Sequence, residues 1–286
     1  MALLALFLLR LTSGLALGMA LVSPRQVTSG YFRNNLYVTL GMSALAALLN
    51  RAAAPEAFWY ATLATVASYA GSVCWLYERS DLGRVSLLIV ALASLVGTFV
   101  LLPSRTGGIS HDAQFTARHS STSAGGETTS TADTEAIQRK MQRLGDAAGF
   151  LRLVVNVSSG LLLGLTMAAM LLGHWYLNSP TMELRPLRRL IAAMGAAVAL
   201  QMVVSSCGLW GEFAAAQPLS TQWALFVILR WTFGLLGVAA MAWMAWQTLK
   251  IPNTQSATGI LYVAVIGAFV GETMSLLLSA ESLFPI

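Results

Sequence analysis

The sequence predicts an all-α, polytopic membrane protein of eight transmembrane helices, arranged as two tandem four-helix units of the parallel-repeat type. Of its residues, 56% are apolar and only 10% are charged, whereas a soluble domain carries about 25% charged residues. The mean hydropathy is +0.68, and the apolar residues form blocks of about 20, the length that crosses about 30 Å of hydrocarbon. Short patterns also recur in the same order in both halves of the chain.

Eight apolar blocks are long enough to be membrane spans. The first block resembles a signal peptide in its position, but it lacks a basic segment before the apolar core, and Arg10 interrupts that core. We therefore predict that it is a retained span. Hydropathy defines the number of spans better than their ends, and it predicts spans over residues 2–22, 36–53, 57–76, 84–103, 149–177, 188–208, 222–248 and 258–280.

Three pairs of glycine-centred patterns relate the two halves. They are TSGLALGMA (12–20) with SSGLLLGLT (158–166), LGMSALAAL (40–48) with MGAAVAL (194–200), and LVGTFVLL (95–102) with FVGETMSLLL (269–278). With four helices in each unit, both units cross the membrane in the same direction, which defines a parallel repeat. The spacing of Gly14 with Gly18, and of Gly160 with Gly164, predicts close helix packing.

The segment between the two units is polar. Residues 1–103 and 149–286 are predicted as the two four-helix units, and residues 104–148 as a Ser/Thr/Gly-rich flexible linker, because the linker buries too little apolar area to order itself. Its last part places Ile137, Met141 and Leu144 at helical spacing among basic residues. This pattern predicts a short amphipathic helix on the lipid surface.

The loops give limited information about orientation. Basic residues are divided almost evenly between the two sides of the membrane, but those on the side opposite the N-terminus are spread over all four short loops. This distribution favours that side as cytoplasmic, with the protein in the plasma (inner) membrane. Cys74 and Cys207 are predicted at opposite ends of their spans, so they are too far apart to form a disulfide within one chain.

Four polar residues are predicted at one depth. Arg10, Asn156, Arg230 and Glu272 each lie about 10 Å below the N-terminal surface when 1.5 Å is allowed per helical residue. One interpretation is a structural ion pair between Arg230 and Glu272, with Arg10 extending to the surface. The other is a binding site for an anion or polar headgroup between the two halves, with Glu272 as a proton acceptor.

A second candidate site surrounds His174, the only histidine within a predicted span. His174 and Tyr176 are predicted at the membrane surface opposite the N-terminus, followed by Arg185. Aromatic residues at this level are typical interface anchors. The functional alternative is that these three residues bind a quinone or a lipid headgroup.

The sequence excludes several classes of function. A single intramembrane histidine excludes a self-contained bis-His haem, and no zincin, P-loop, GxSxG or CxxC pattern is present. We therefore predict no metal site, no bound cofactor other than a candidate quinone, and no enzymatic motif. The predicted partners are the lipid bilayer and other subunits of a membrane complex, whereas nucleic acid is not expected.

Three functional hypotheses remain. The first is a membrane subunit that binds a quinone-like or lipid headgroup beside a redox partner. The second is a small-solute transporter with Arg10, Arg230 and Glu272 between the repeats. The third is a structural or assembly subunit. Apart from Pro103, the last residue of the fourth predicted span, the predicted spans contain no proline. This argues against transport, because alternating-access sites often use interrupted helices.

Overall fold

The structure is a computed structural model that describes residues 1–102, 131–179, 182–214, 221–251 and 253–281. Helices account for nearly all of this part, and it contains no strand. Eight helices run along it, the seventh with an internal π-helical segment: α1 (Ala2–Ala20), α2 (Ser29–Asn50), α3 (Pro55–Leu76), α4 (Ser80–Val100), α5 (Thr131–Asn178), α6 (Arg185–Ala214), α7 (Thr221–Thr248) and α8 (Thr254–Glu281).

The protein is a multi-pass membrane protein. Six helices are long and apolar enough to cross a bilayer: α1, α4, and residues Gly149–Asn178 of α5, Arg185–Phe213 of α6, α7, and Thr254–Ser279 of α8. The other two helices, α2 and α3, do not meet this measure. Polar residues at the start of α2, and the Ser, Thr, Trp and Tyr residues of α3, lower their mean hydropathy.

Local sequence explains where α3 begins and ends. Pro55 occupies the first turn, where a backbone N–H is not needed by the helix, and Glu56 lies in the same turn near the positive end of the helix dipole. Glu78, just after the helix, has a φ of 57°. This left-handed conformation reverses the chain tightly into α4.

The segment before the fifth span differs from its prediction. Instead of a separate short helix, residues from Thr131 onward belong to α5, which is a single helix of 48 residues. Hydropathy could not indicate this continuity, because the polar N-terminal part and the apolar part share one helical backbone. The rest of the predicted linker, residues 104–130, lies outside the described residues.

Helix contacts follow the same order in the two halves. In the first half, α1 contacts α2, α2 contacts α3, α3 contacts α4, and α4 returns to α1; in the second half α5, α6, α7 and α8 contact one another in the same cyclic order. The two halves meet chiefly along α1 and α5. These two are the most buried of the candidate spans.

Glycines allow α1 and α5 to approach each other at backbone distance. A Cβ atom added to Gly14 would lie 1.8 Å from the carbonyl oxygen of Gly160, and one added to Gly164 would lie 1.8 Å from the carbonyl carbon of Gly14. Two backbones can come this close only where neither carries a side chain. The predicted packing role of these glycines is therefore what the structure shows.

A π-helix interrupts α7 from Arg230 to Gly237. The sequence predicts an uninterrupted span here, because a π-helix leaves no signature in hydropathy. Within it, Gly234 packs against Gly271 of α8, where a Cβ on either glycine would lie 2.4 Å from the Cα of the other. The first residue of the π-helix, Arg230, is one of the predicted site residues.

Candidate functional site

A cluster of polar side chains lies inside the bundle where the two halves meet. Arg10 on α1 forms an ion pair with Glu272 on α8 and donates a second hydrogen bond to the side-chain oxygen of Asn156 on α5. All three residues are at least 95% buried. The structure therefore brings together three of the four residues that were predicted at one depth.

Most polar groups of the cluster have a defined partner, although the Nε atom of Arg10 has none. One carboxylate oxygen of Glu272 accepts from Arg10, and the other accepts from the hydroxyl of Ser159. The Asn156 amide nitrogen donates to the carbonyl of Arg152 at 2.7 Å, which turns its oxygen toward Arg10. Buried charges are stable only with such partners, so α1, α5 and α8 are held in register here.

The predicted pairing of the charges is wrong. One of the two interpretations of the sequence was an ion pair between Glu272 and Arg230 with Arg10 extending to the surface, but Glu272 pairs with Arg10, which is only 3% exposed. The reason is the close crossing of α1 and α5: a Cβ on Gly160 would lie 3.1 Å from the Arg10 carbonyl oxygen. Arg10 is thereby buried in the interior of the bundle.

Arg230 is buried beside this cluster without a carboxylate partner. Its guanidinium donates to the hydroxyl of Ser205 at 2.9 Å and, at 3.4 Å, to the carbonyl of Gly271. Its Nε atom has no hydrogen-bond partner. Among the described residues, Arg230 takes part in no ion pair closer than 4.0 Å, whereas Arg10 and Glu272 form one. Since Arg10 and Glu272 neutralise each other, Arg230 leaves one uncompensated positive charge.

A small cavity separates Arg230 from Glu272. Its volume is about 10 Å³, and Ser159, Gln201, Arg230 and Glu272 contribute its polar lining. This volume corresponds to about one water molecule. The side-chain nitrogen of Gln201 has no partner, while its oxygen accepts from Ser158. Two partnerless buried donors, on Arg230 and Gln201, therefore border one cavity.

Three residues of this site were not predicted from the sequence. Ser159, Gln201 and Ser205 are uncharged, and hydroxyl and amide groups are common in membrane helices. A signal was present for Gln201, because it is the only glutamine within the predicted sixth span. Hydropathy does not report side-chain direction around a helix. That direction decides that Ser159 and Gln201 line the cavity and that Ser205 accepts from Arg230.

The residues of the second predicted site are not brought together. His174 is exposed and its Nδ1 lies 3.2 Å from the hydroxyl of Tyr262 on α8. Tyr176 is buried and donates to the backbone carbonyl of Glu183. Arg185 is exposed at the start of α6. In the part of the chain that the structure describes, no hydrogen bond or ring contact joins these three side chains.

The neighbour of His174 has a structural contact. The indole nitrogen of Trp175 donates to the hydroxyl of Thr28 at 2.8 Å, and the Trp175 ring covers Gly30. This contact fixes the end of α5 to the start of α2. Such a position fits an anchor at the membrane surface.

The described residues contain no group of three or more side chains suited to bind a metal ion. Comparison with known proteins adds no further constraint: no family model matches the chain, and neither a curated protein nor a solved structure shows significant similarity to it. Function must therefore be argued from the residues themselves.

Proposed function

We propose that this membrane protein transports a small monovalent anion and that Arg230 holds the anion within the bilayer. The observation that carries this proposal is the buried guanidinium of Arg230, which faces a cavity and has no carboxylate partner. A charged side chain inside a membrane costs about 2.5–3.5 kcal/mol even on the lenient insertion scale. An anion beside Arg230 would offset that cost.

The donor set around the cavity supports an anionic ligand. Arg230 Nε and the Gln201 amide nitrogen are both donors without partners, and a guanidinium presents its N–H groups in a planar fork that suits carboxylate and other oxyanions. Glu272 also lines the cavity, but its negative charge is neutralised by Arg10. The net charge facing a ligand is therefore positive.

The π-helix supplies a means of opening the site. The cavity of about 10 Å³ is too small for an anion larger than water, so α7 must move before such an anion can enter. π-Helical turns are rare in proteins and frequently lie at functional sites. Because Gly234 and Gly271 meet without side chains between them, α7 can shift against α8 without a side-chain clash.

This break in α7 supplies the interrupted helix that the lack of intramembrane proline argued against. Alternating-access sites often use interrupted helices, and the sequence offers no intramembrane proline to indicate one. The π-helix interrupts α7 without proline, and it begins at Arg230.

We also propose that the chain crosses the bilayer eight times as a parallel repeat. Helices α2 and α3 each have 22 residues, about 33 Å at 1.5 Å per residue, which is enough to cross. The shared order of helix contacts in the two halves supports the repeat. So do Gly41 and Gly195, equivalent in the repeat, where an added Cβ would meet nothing within 4 Å.

Whether α2 crosses the bilayer, as eight crossings require, can be tested by cysteine labelling. After replacement of Cys74 and Cys207, Arg25→Cys and Ala53→Cys place single thiols at exposed positions before and after α2. We expect a membrane-impermeant maleimide to label them from opposite sides of oriented vesicles. Labelling of both from one side would show that α2 does not cross.

Anion transport can be tested in proteoliposomes. We expect the full chain to admit chloride, read by an entrapped halide-quenched dye, or radiolabelled formate, faster than protein-free vesicles. Arg230→Gln should remove this flux because the amide carries no charge. The matched control is Arg51→Gln, at an exposed arginine in the turn between α2 and α3, which should keep it.

Two outcomes contradict the proposal. Flux of both anions no faster than in protein-free vesicles would exclude transport of this class. Equal flux through Arg230→Gln and the unchanged protein would show that Arg230 does not hold the anion.

The other functional hypotheses have less support. A quinone is much larger than a small monovalent anion and would need a far wider opening of the cavity of about 10 Å³, and the second site offers only the His174–Tyr262 contact. A subunit that works with a redox partner, or a structural subunit, would not need an uncompensated charge beside a cavity. Location in the plasma (inner) membrane remains part of the proposal.

A further inference from the structure

A groove of about 350 Å³ opens on the outer face of the bundle between α6 and α7. Its lining is entirely apolar or aromatic and includes Ala192 and Gly195 on α6, and Ala239, Trp243 and Trp246 on α7. Trp243 is 64% exposed. In a membrane protein such a face contacts lipid chains, and this volume falls in the range of small-molecule binding sites.

The depth of the groove depends on one residue without a side chain. A Cβ on Gly195 would meet nothing within 4 Å, so the glycine is not required for helix packing. Its effect is to leave space between α6 and α7 that a larger side chain would fill.

Basic side chains lie where the groove reaches the membrane surface. Arg188 precedes Ala192 by four residues and so lies one turn away on the same face of α6. Lys250 follows Trp246 by four residues and lies just after the end of α7, in a turn where its N–H donates to the Gln247 carbonyl at 3.1 Å. A hydrogen bond of 2.7 Å from the Arg188 guanidinium to the carbonyl of Leu249 places Arg188 beside the end of α7. Both Arg188 and Lys250 are exposed.

The charge at this end of the groove is positive. Arg185 and Arg189 are exposed in the same first turn of α6 as Arg188. The nearest acidic residue in sequence, Glu183, accepts a hydrogen bond of 3.1 Å from Gln26 in the loop before α2. Its carboxylate is therefore engaged on the side of the first half.

We propose that the groove binds an anionic phospholipid, with one acyl chain between α6 and α7 and the phosphate beside Arg188 and Lys250. The apolar lining suits a hydrocarbon chain, and Trp243 and Trp246 are of the kind that lies at the level of lipid headgroups. Basic pockets between transmembrane helices bind anionic headgroups. A neutral quinone or sterol would gain nothing from the two cations. This site is separate from Arg230 and does not depend on anion transport.

The lipid can be tested by native mass spectrometry of the full chain in a non-ionic detergent. We expect phosphatidylglycerol to be retained about fivefold better than phosphatidylcholine with the same acyl chains, the effect of about one basic side chain at a lipid surface. Lys250→Gln should reduce that preference. Because Lys250 is exposed, this variant is expected to fold normally.

Two glycine variants separate the groove from the rest of the lipid-facing surface. Gly195→Leu should reduce retention of both lipids about tenfold, because the leucine takes the place of acyl methylene groups. Gly41→Leu is the matched control, since that glycine also faces open space, and it should retain lipid normally.

Three results would overturn the proposal. They are equal retention of the two lipids by the unchanged protein, equal retention by the Gly195→Leu and Gly41→Leu variants, and displacement of phosphatidylglycerol by water-soluble glycerol phosphate. The last result would show that a free phosphate, without an acyl chain, is sufficient for the site. Each result is independent of the flux measured for Arg230→Gln.

Discussion

Replacing Glu272 by alanine is expected to lower the free energy of unfolding by about 3–5 kcal/mol, the usual effect of removing one partner of a buried ion pair. The substitution leaves the Arg10 guanidinium buried without a counter-charge, and the Ser159 hydroxyl loses its acceptor. The loss can be measured by reversible unfolding of the purified chain in mixed micelles, followed by far-ultraviolet circular dichroism.

Two further variants test this explanation. Glu56→Ala removes an exposed carboxylate from the first turn of α3 and should cost at most about 1 kcal/mol, the size of a helix-dipole contact. Combining Arg10→Leu with Glu272→Leu should recover most of the lost stability, because apolar pairs often replace buried ion pairs without net cost. If Glu272→Ala is no more destabilising than Glu56→Ala, the ion pair does not stabilise the fold.

Gly164→Ala is expected to destabilise the protein by about 3 kcal/mol or more, at the upper end of overpacking effects. Its new methyl group would lie 1.8 Å from the carbonyl carbon of Gly14 and 2.2 Å from the backbone nitrogen of Leu15. Since both are backbone atoms, α1 and α5 must separate to make room. The change in the free energy of unfolding can be measured by the same unfolding experiment in mixed micelles.

The control for this prediction is Gly195→Ala. The new methyl group there meets nothing within 4 Å, and alanine favours a helix over glycine by about 1 kcal/mol. This variant should be as stable as the unchanged protein or more so. Equal unfolding free energies for Gly164→Ala and Gly195→Ala would contradict the close crossing of α1 and α5.

The sequence predicted a common depth for the four polar residues, but it did not predict their pairing. The rise per residue gives a position along the membrane normal for Arg10, Asn156, Arg230 and Glu272. It gives no direction around the helix axis. Glycine-mediated packing of α1 on α5 turns Arg10 toward Glu272, and Arg230 is left with Ser205 and the Gly271 carbonyl.

Helix positions followed from composition to within a few residues for several of the spans. The predicted span 57–76 corresponds to Pro55–Leu76. By contrast, α2 begins at Ser29, seven residues before its predicted start, because Arg33, Asn34 and Asn35 lower the hydropathy of its first turns. A polar sequence can be helical when its neighbours bury it, and Asn35 is indeed buried.

Composition and block length by themselves determined that this chain is a helical, multi-pass membrane protein. The physical reason is that backbone groups in hydrocarbon must be hydrogen-bonded internally, so a long apolar segment has few alternatives to a helix. Only the tertiary structure decided which charges meet, where α7 becomes π-helical, and which grooves remain open. Those features depend on contacts between helices far apart in sequence, and a one-dimensional pattern of hydropathy does not contain them.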